Sequence, residues 1–143
     1  MKHYDVLVLS GGFDPLHVGH VRMIQAARDL AGLVVVGVNS DDWLRRNRGR
    51  CTMPFDERRE IVASVRGVTS AVGFDDEDNT ARHLIQMVHK MSPGAKLAFG
   101  NGGDRTALNV PEVDLCKELG VDLVWGLGGD RVEASSELVY RSM

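Results

Sequence analysis

The chain has 143 residues, of which 43% are hydrophobic and 26% charged, and its formal net charge is −3. That length carries a core without disulfide or metal staples, so one domain spanning residues 1–143 is expected. The acidic balance removes the electrostatic basis for bulk nucleic-acid binding. No apolar stretch approaches the length of a membrane span.

The short run from Val6 to Leu9, ended by Ser10, Gly11 and Gly12, reads as a buried strand. From Val18 the period changes: Val21, Ile24, Ala27 and Ala31 recur at helical spacing, and Gly32 fits a C-terminal stop. LVVVGV at 33–38 is a second buried strand, followed by a basic, irregular stretch. Pro54 opens the helix FDERREIVASVRG, with Ile61 and Val65 on one face. VTSAVGF at 68–74 reads as a strand, FDDEDN as a loop, 80–91 as a helix and KLAF at 96–99 as a strand. PEVDLCKELG at 111–120 begins with proline and ends with glycine, as a short helix does. VDLVWG is the fifth strand, and SSELVYRSM a closing helix.

This alternation predicts an α/β fold, a Rossmann-like parallel sheet of five strands flanked by helices. Purely apolar strands such as LVVVGV suit burial on both faces. Ligands of such sheets bind beyond the C-terminal strand ends, near the topological switch point. Glycine-rich or polar clusters at 10–20, 39–50, 100–106 and 126–136 all fall at those ends.

The stretch GGFDPLHVGH at 11–20 is poorly suited to simple packing. Gly11 and Gly12 allow a sharp turn and close approach of backbone to a ligand, and Pro15 suits entry into the next helix. A helix N-terminus favours an anion. His17 and His20 stand three apart on its first turn, with Gly19 leaving room between them. Two imidazoles there suit phosphate oxygens. No Gly-Lys-Ser/Thr follows, so this is not a P-loop, and two histidines without a third ligand make a poor zinc site.

GGFDPLHVGH resembles the GxFDxxHxGH signature of the cytidylyltransferase-like nucleotidyltransferases. GVNSDDWLRRNRGR, PFDERREIV, VTSAVGFDDED and FGNGGD are similar in order and spacing to the bacterial heptose 1-phosphate adenylyltransferases. The glycerol 3-phosphate cytidylyltransferases share the signature, with less similarity in the middle. The resemblance implies direct displacement: an acceptor phosphate oxygen attacks the α-phosphorus of ATP or CTP, and pyrophosphate leaves. Positioning and charge stabilisation carry such a reaction. His17 and His20 are then expected to hold phosphate oxygens, with Gly12, Phe13, Asp14 and Gly19 against the nucleotide. Mg2+ enters on the triphosphate oxygens.

The same resemblance distributes the remaining candidates. Of the basic residues Arg45, Arg46, Arg48 and Arg50, Arg48 is expected at the nucleotide and Arg46 at the acceptor. Asp41 and Arg58 are also expected at the acceptor, although Asp41 could cap a helix and Arg58 could form a surface ion pair. Gly102, Gly103 and Asp104, at a glycine-rich strand end, are expected to contact the nucleotide; the adenylyltransferase pattern has lysine where this chain has Asn101. RVEASSELV resembles the family's second signature, with Ser135 and Ser136 at an anion-binding helix start and Arg131 neutralising charge. Glu137 stands where the family often has Ser or Thr. KMSPG at 90–94 resembles the KMSKS loop of class I aminoacyl-tRNA synthetases, but its second lysine is missing. The run DDED at 75–78 reads as a solvated loop.

Cys51 and Cys116 form no CxxC pair and read as reduced thiols. The N-terminus lacks a signal-peptide pattern, so a cytoplasmic protein is expected. The resemblance further implies a homodimer or higher homo-oligomer. The function expected is a nucleotidyltransferase acting on a small phosphorylated acceptor, a sugar 1-phosphate such as heptose 1-phosphate before glycerol 3-phosphate. A nucleotide-binding regulatory protein without turnover is the alternative from another class.

Overall fold

The computed structural model describes residues 2–102, 110–129 and 133–134. Five parallel strands form the sheet: β1 (Tyr4–Gly11), β2 (Ala31–Val38), β3 (Ser70–Gly73), β4 (Leu97–Gly102) and β5 (Asp122–Leu127). A two-residue strand, β6 (Glu133–Ala134), pairs antiparallel with β5 and extends the expected set by one. The helices are α1 (Val18–Leu30), α2 (Asp41–Arg48), α3 (Phe55–Ala63), α4 (Arg82–Met91) and α5 (Val113–Leu119).

Side chains alternate across a strand, so a strand apolar at every position must be covered on both faces. In β1, Leu7 and Leu9 join one core with Ile24 and Ala27 of α1 and Val62 of α3. Val6 and Val8 join the other, with Leu84, Ile85 and Val88 of α4 and Cys116 of α5. β5 divides likewise: Val124 and Leu127 face the first core, Leu123 and Trp125 the second.

The strand order is β3-β2-β1-β4-β5-β6. Val6 of β1 therefore lies opposite Leu33 on one side and Leu97 on the other. The chain winds outward from β1 to β3, returns across the sheet, and continues outward from β4. The switch between β1 and β4 opens a crevice at their C-terminal ends.

Three elements depart from expectation. α1 stops at Leu30, because Ala31 is already extended (φ −135°, ψ 148°) and pairs with Tyr4; strand pairing claims it ahead of Gly32. The basic stretch after β2 is the helix α2 rather than irregular chain. Ser40 caps it by accepting from the Trp43 N–H at 3.0 Å, with Asp41 and Asp42 in its first turn and Arg45, Arg46 and Arg48 in its last. That charge order complements the helix dipole. On α3 the buried positions are Arg58 and Val62, while Ile61 is 40% exposed, so the inward face is one residue away from the expected one. The closing helix expected over SSELVYRSM lies outside the described residues.

Candidate active site

β1 runs into a loop that is packed before it reaches any ligand. Phe13 takes a positive φ of 53°, and its ring is buried beneath Gly11. A Cβ on Gly11 would lie 3.0 Å from Phe13 Cζ, and one on Gly12 would lie 2.8 Å from Leu44 Cδ2. The two glycines thus make room for the protein's own side chains. Asp14 ties the loop down, accepting from the N–H groups of Thr52 at 2.6 Å and Met53 at 2.8 Å.

His17 and His20 begin α1 as a reciprocal capping box. The Gly19 N–H donates to His17 Nδ1 at 3.1 Å, and the His17 N–H donates to His20 Nδ1 at 3.2 Å. Each Nδ1 is therefore an acceptor, which places the proton of the neutral ring on Nε2. Both imidazoles keep an Nε2–H donor free of the cap. The rings stack at 3.7 Å between centroids, and Phe13 meets His20 edge-on at 4.8 Å. Burial, reinforced by the neighbouring His17, lowers the His20 pKa to about 4. A Cβ on Gly19 would lie 2.9 Å from His17 Cε1, so only glycine leaves this ring its place.

A cavity of about 420 Å³ occupies the β1/β4 crevice, with Gly12, His17, Gly19, His20, Arg48 and Gly102 in its walls. A second, of about 370 Å³, shares Gly12, His17, His20 and Arg48 and adds Phe13, Asp14 and Arg50. The two histidines and Arg48 thus border both spaces. The Arg48 guanidinium lies 5.5 Å from the centroid of the Trp43 ring, which holds the cation over an aromatic face.

The residues expected at an acceptor are placed differently. Arg58 is fully buried; it donates to the carbonyls of Met53, Gly12 and Asn39 at 2.8, 2.9 and 2.7 Å and to Asp41 Oδ1 at 2.6 Å. A guanidinium so committed fastens α3 to the ends of β1 and β2, which corrects the expectation that it meets a ligand. Burial pushes the Asp41 carboxyl up, but hydrogen bonds from Arg58 and Cys51 outweigh it and hold the pKa below the usual range. Arg46 donates to the Asp76 carbonyl at 3.0 Å and to Asn79 Oδ1 at 3.2 Å, pinning the loop after β3. Arg131, Gly103, Asp104, Ser135 and Ser136 lie outside the described residues.

Several site residues escaped the sequence reading. Asp76, in a run that reads as a solvated loop, is buried and accepts from Asn39 Nδ2 at 3.0 Å and from the Ser40 N–H and hydroxyl at 2.7 Å each. It shapes the end of β2 beneath the cavity. Asn39, Trp43 and Glu112 also line that cavity, as does Asn101, the position where the resemblance has lysine. Cys51 and Cys116 are both free thiols. Among the described residues, no three His, Cys, Asp or Glu side chains group as a metal site, and no helix is long and apolar enough to cross a membrane.

The family model described as cytidylyltransferase-like matches residues 8–140. The chain belongs to that family. The "Bifunctional protein HldE" of Streptomyces coelicolor is 36% identical over 121 residues, covering 83% of this chain and 24% of the relative. That of Syntrophotalea carbinolica is 34% identical over 128 residues, covering 85% and 24%. The chain spans about a quarter of these curated relatives. Among solved structures, the lipopolysaccharide core biosynthesis protein of Thermoplasma volcanium superposes with a TM-score of 0.66 at 20% identity, over 85% of this chain and 95% of that one. A bifunctional NMN adenylyltransferase/ADP ribose pyrophosphatase of Francisella tularensis, solved with AMP and a manganese ion, gives 0.62 at 20% identity, over 85% and 36%. These two likenesses establish the fold.

Proposed function

We infer that this cytidylyltransferase-like domain is an enzyme that transfers a nucleoside monophosphate from ATP or CTP to a small phosphorylated acceptor, releasing pyrophosphate. A sugar 1-phosphate, with heptose 1-phosphate first, is the acceptor favoured by the resemblance and by the HldE relatives. The observation that carries the reading is the His17/His20 capping box, which leaves two Nε2–H donors at a helix start whose histidines, with Arg48, line two neighbouring cavities.

Such donors stabilise charge as it builds on phosphate oxygens, and they need no reorganisation during the reaction. Two adjoining spaces suit in-line displacement between two bound phosphates. Mg2+ belongs to the substrate here: a hard cation prefers triphosphate oxygens, and it would reduce the charge that the histidines must face. His17, His20 and Arg48 hold and orient the phosphates, while Gly12 and Gly102 offer close backbone. Arg131, Ser135, Ser136, Gly103 and Asp104 complete the triphosphate site in this reading, and the active form is a homodimer or higher oligomer.

The test is magnesium-dependent pyrophosphate release, with ATP and CTP each offered heptose 1-phosphate and glycerol 3-phosphate. Release that requires one nucleotide and one acceptor, and falls on the order of 10²–10³-fold in His17→Ala, is expected. Nucleotide binding without release from any pair would favour a binding protein instead.

A further inference from the structure

Asn101 lies near the end of β4 and Glu112 immediately precedes α5, and both residues line the larger cavity. Each is only 4% exposed. Glu112 Oε2 accepts from the Ala81 N–H at 2.7 Å, which fixes the carboxylate against the start of α4. Glu112 Oε1 and Asn101 Nδ2 have no hydrogen-bond partner among the described residues. A buried donor or acceptor left unpaired is costly, and a carboxylate oxygen more so. One such atom in a core could be a packing accident. Two of opposite hydrogen-bonding sense, lining the same cavity as His17 and His20, form a matched polar pair.

We propose that Glu112 and Asn101 bind the hydroxyl-bearing body of the acceptor, Glu112 Oε1 accepting from a hydroxyl and Asn101 Nδ2 donating to one. This rests on the transferase reading above and specifies the acceptor's chemistry: a neutral polyol or sugar whose phosphate lies at the histidines. A hydroxyl both donates and accepts, so it can satisfy either group. The wall around the pair is also of the kind that polyols use, with Asn79, Thr80 and Asn39 lining the same cavity. A carboxylate there repels a second anionic group, so the site selects monophosphates whose remaining body is uncharged. The lysine-to-asparagine departure at position 101 then exchanges a fixed positive charge for a neutral donor.

Binding is measured by titration calorimetry with four probes: inorganic phosphate, heptose 1-phosphate, glycerol 3-phosphate, and ATP with magnesium. Wild type is compared with Glu112→Gln and Asn101→Ala, and thermal unfolding confirms that each variant is folded. Wild type is expected to bind at least one polyol phosphate more tightly than inorganic phosphate. Each variant should weaken that complex tenfold or more while leaving inorganic phosphate and ATP unchanged. Glu112→Gln keeps an acceptor for Ala81, so its loss reads the charge on the free oxygen. The proposal is overturned if the variants weaken ATP instead, if all probes weaken together, or if no polyol phosphate outbinds inorganic phosphate. In the last case, continued ATP binding by the wild type would leave the transferase reading standing; its loss would remove both.

Discussion

Arg58 Nη2 donates to Asp41 Oδ1 at 2.6 Å, and the same guanidinium serves the backbone carbonyls at the ends of β1 and β2. The pair is a buried brace under the site, with Arg58 fully enclosed and the Asp41 side chain 31% exposed. Breaking a buried pair from one side typically costs 3–5 kcal/mol. Arg58→Ala should therefore lose about 3 kcal/mol, at the low end because Asp41 regains water, and Asp41→Asn should cost at least as much, because it leaves the fully enclosed guanidinium without its counter-charge. Urea unfolding at pH 7 checks both. The Asp41 pKa lies below its unfolded value, so its contribution is present above about pH 4 and disappears as pH falls through the folded value.

His20 acts in the same direction at higher pH. Its pKa falls from 6.5 in the unfolded chain to about 4 in the fold. Between those values the unfolded state binds more protons, so stability should fall as pH drops through that window and level off below about 4, where both states are protonated. An NMR titration of the imidazole signals should find His20 still neutral at pH 5. Phosphate oxygens against Nε2 favour the charged ring. Saturating nucleotide should then raise the His20 pKa and draw a proton from solution near pH 5.5, measurable as a buffer-dependent binding enthalpy.

Gly19→Ala separates ligand geometry from stability. Alanine in a helix gains up to about 1 kcal/mol over glycine. The added Cβ, 2.9 Å from His17 Cε1, displaces the ring and its cap, which is worth about 1 kcal/mol. These offset, so the melting temperature should barely move while ATP affinity falls at least tenfold. Calorimetry beside thermal unfolding reads both; an unchanged affinity would contradict the placement of His17.

Asp76→Ala should destabilise by about 3 kcal/mol, because it leaves the Asn39 amide and the Ser40 N–H and hydroxyl without their shared acceptor. Asp76→Asn should lose less. Equilibrium unfolding of the two variants checks the order.

The sheet and most helices were legible because apolar runs, glycine stops and proline starts are local signals. α2 was legible in principle, since Ser40, the acidic first turn and the basic last turn are a dipole-ordered cap pattern; the density of arginines obscured it. The His17/His20 site was legible because its residues lie within one turn. Arg58 was misjudged because a charged side chain at an inward helical position shows its partners only in three dimensions. Asp76 looked solvated for the same reason: its acidic neighbours are exposed, whereas its own carboxylate faces the end of β2. Asn101 and Glu112 line one cavity although they are eleven positions apart, a relation that no local spacing predicts.

The β1–β4 pairing places Val6 beside Leu97, so the cavity exists only after chain segments more than 90 residues apart have met. Its walls hang on both halves of the sheet, and a partly folded chain with only β1 to β3 in place presents no such cavity. A ligand filling it therefore recognises the completed topology and not any fragment. By mass action, a ligand at a hundred times its dissociation constant adds about 2.7 kcal/mol to global unfolding. Small-molecule binding and the long-range β1–β4 pairing are thus thermodynamically linked in this domain: a ligand in the cavity acts as a clasp on that pairing.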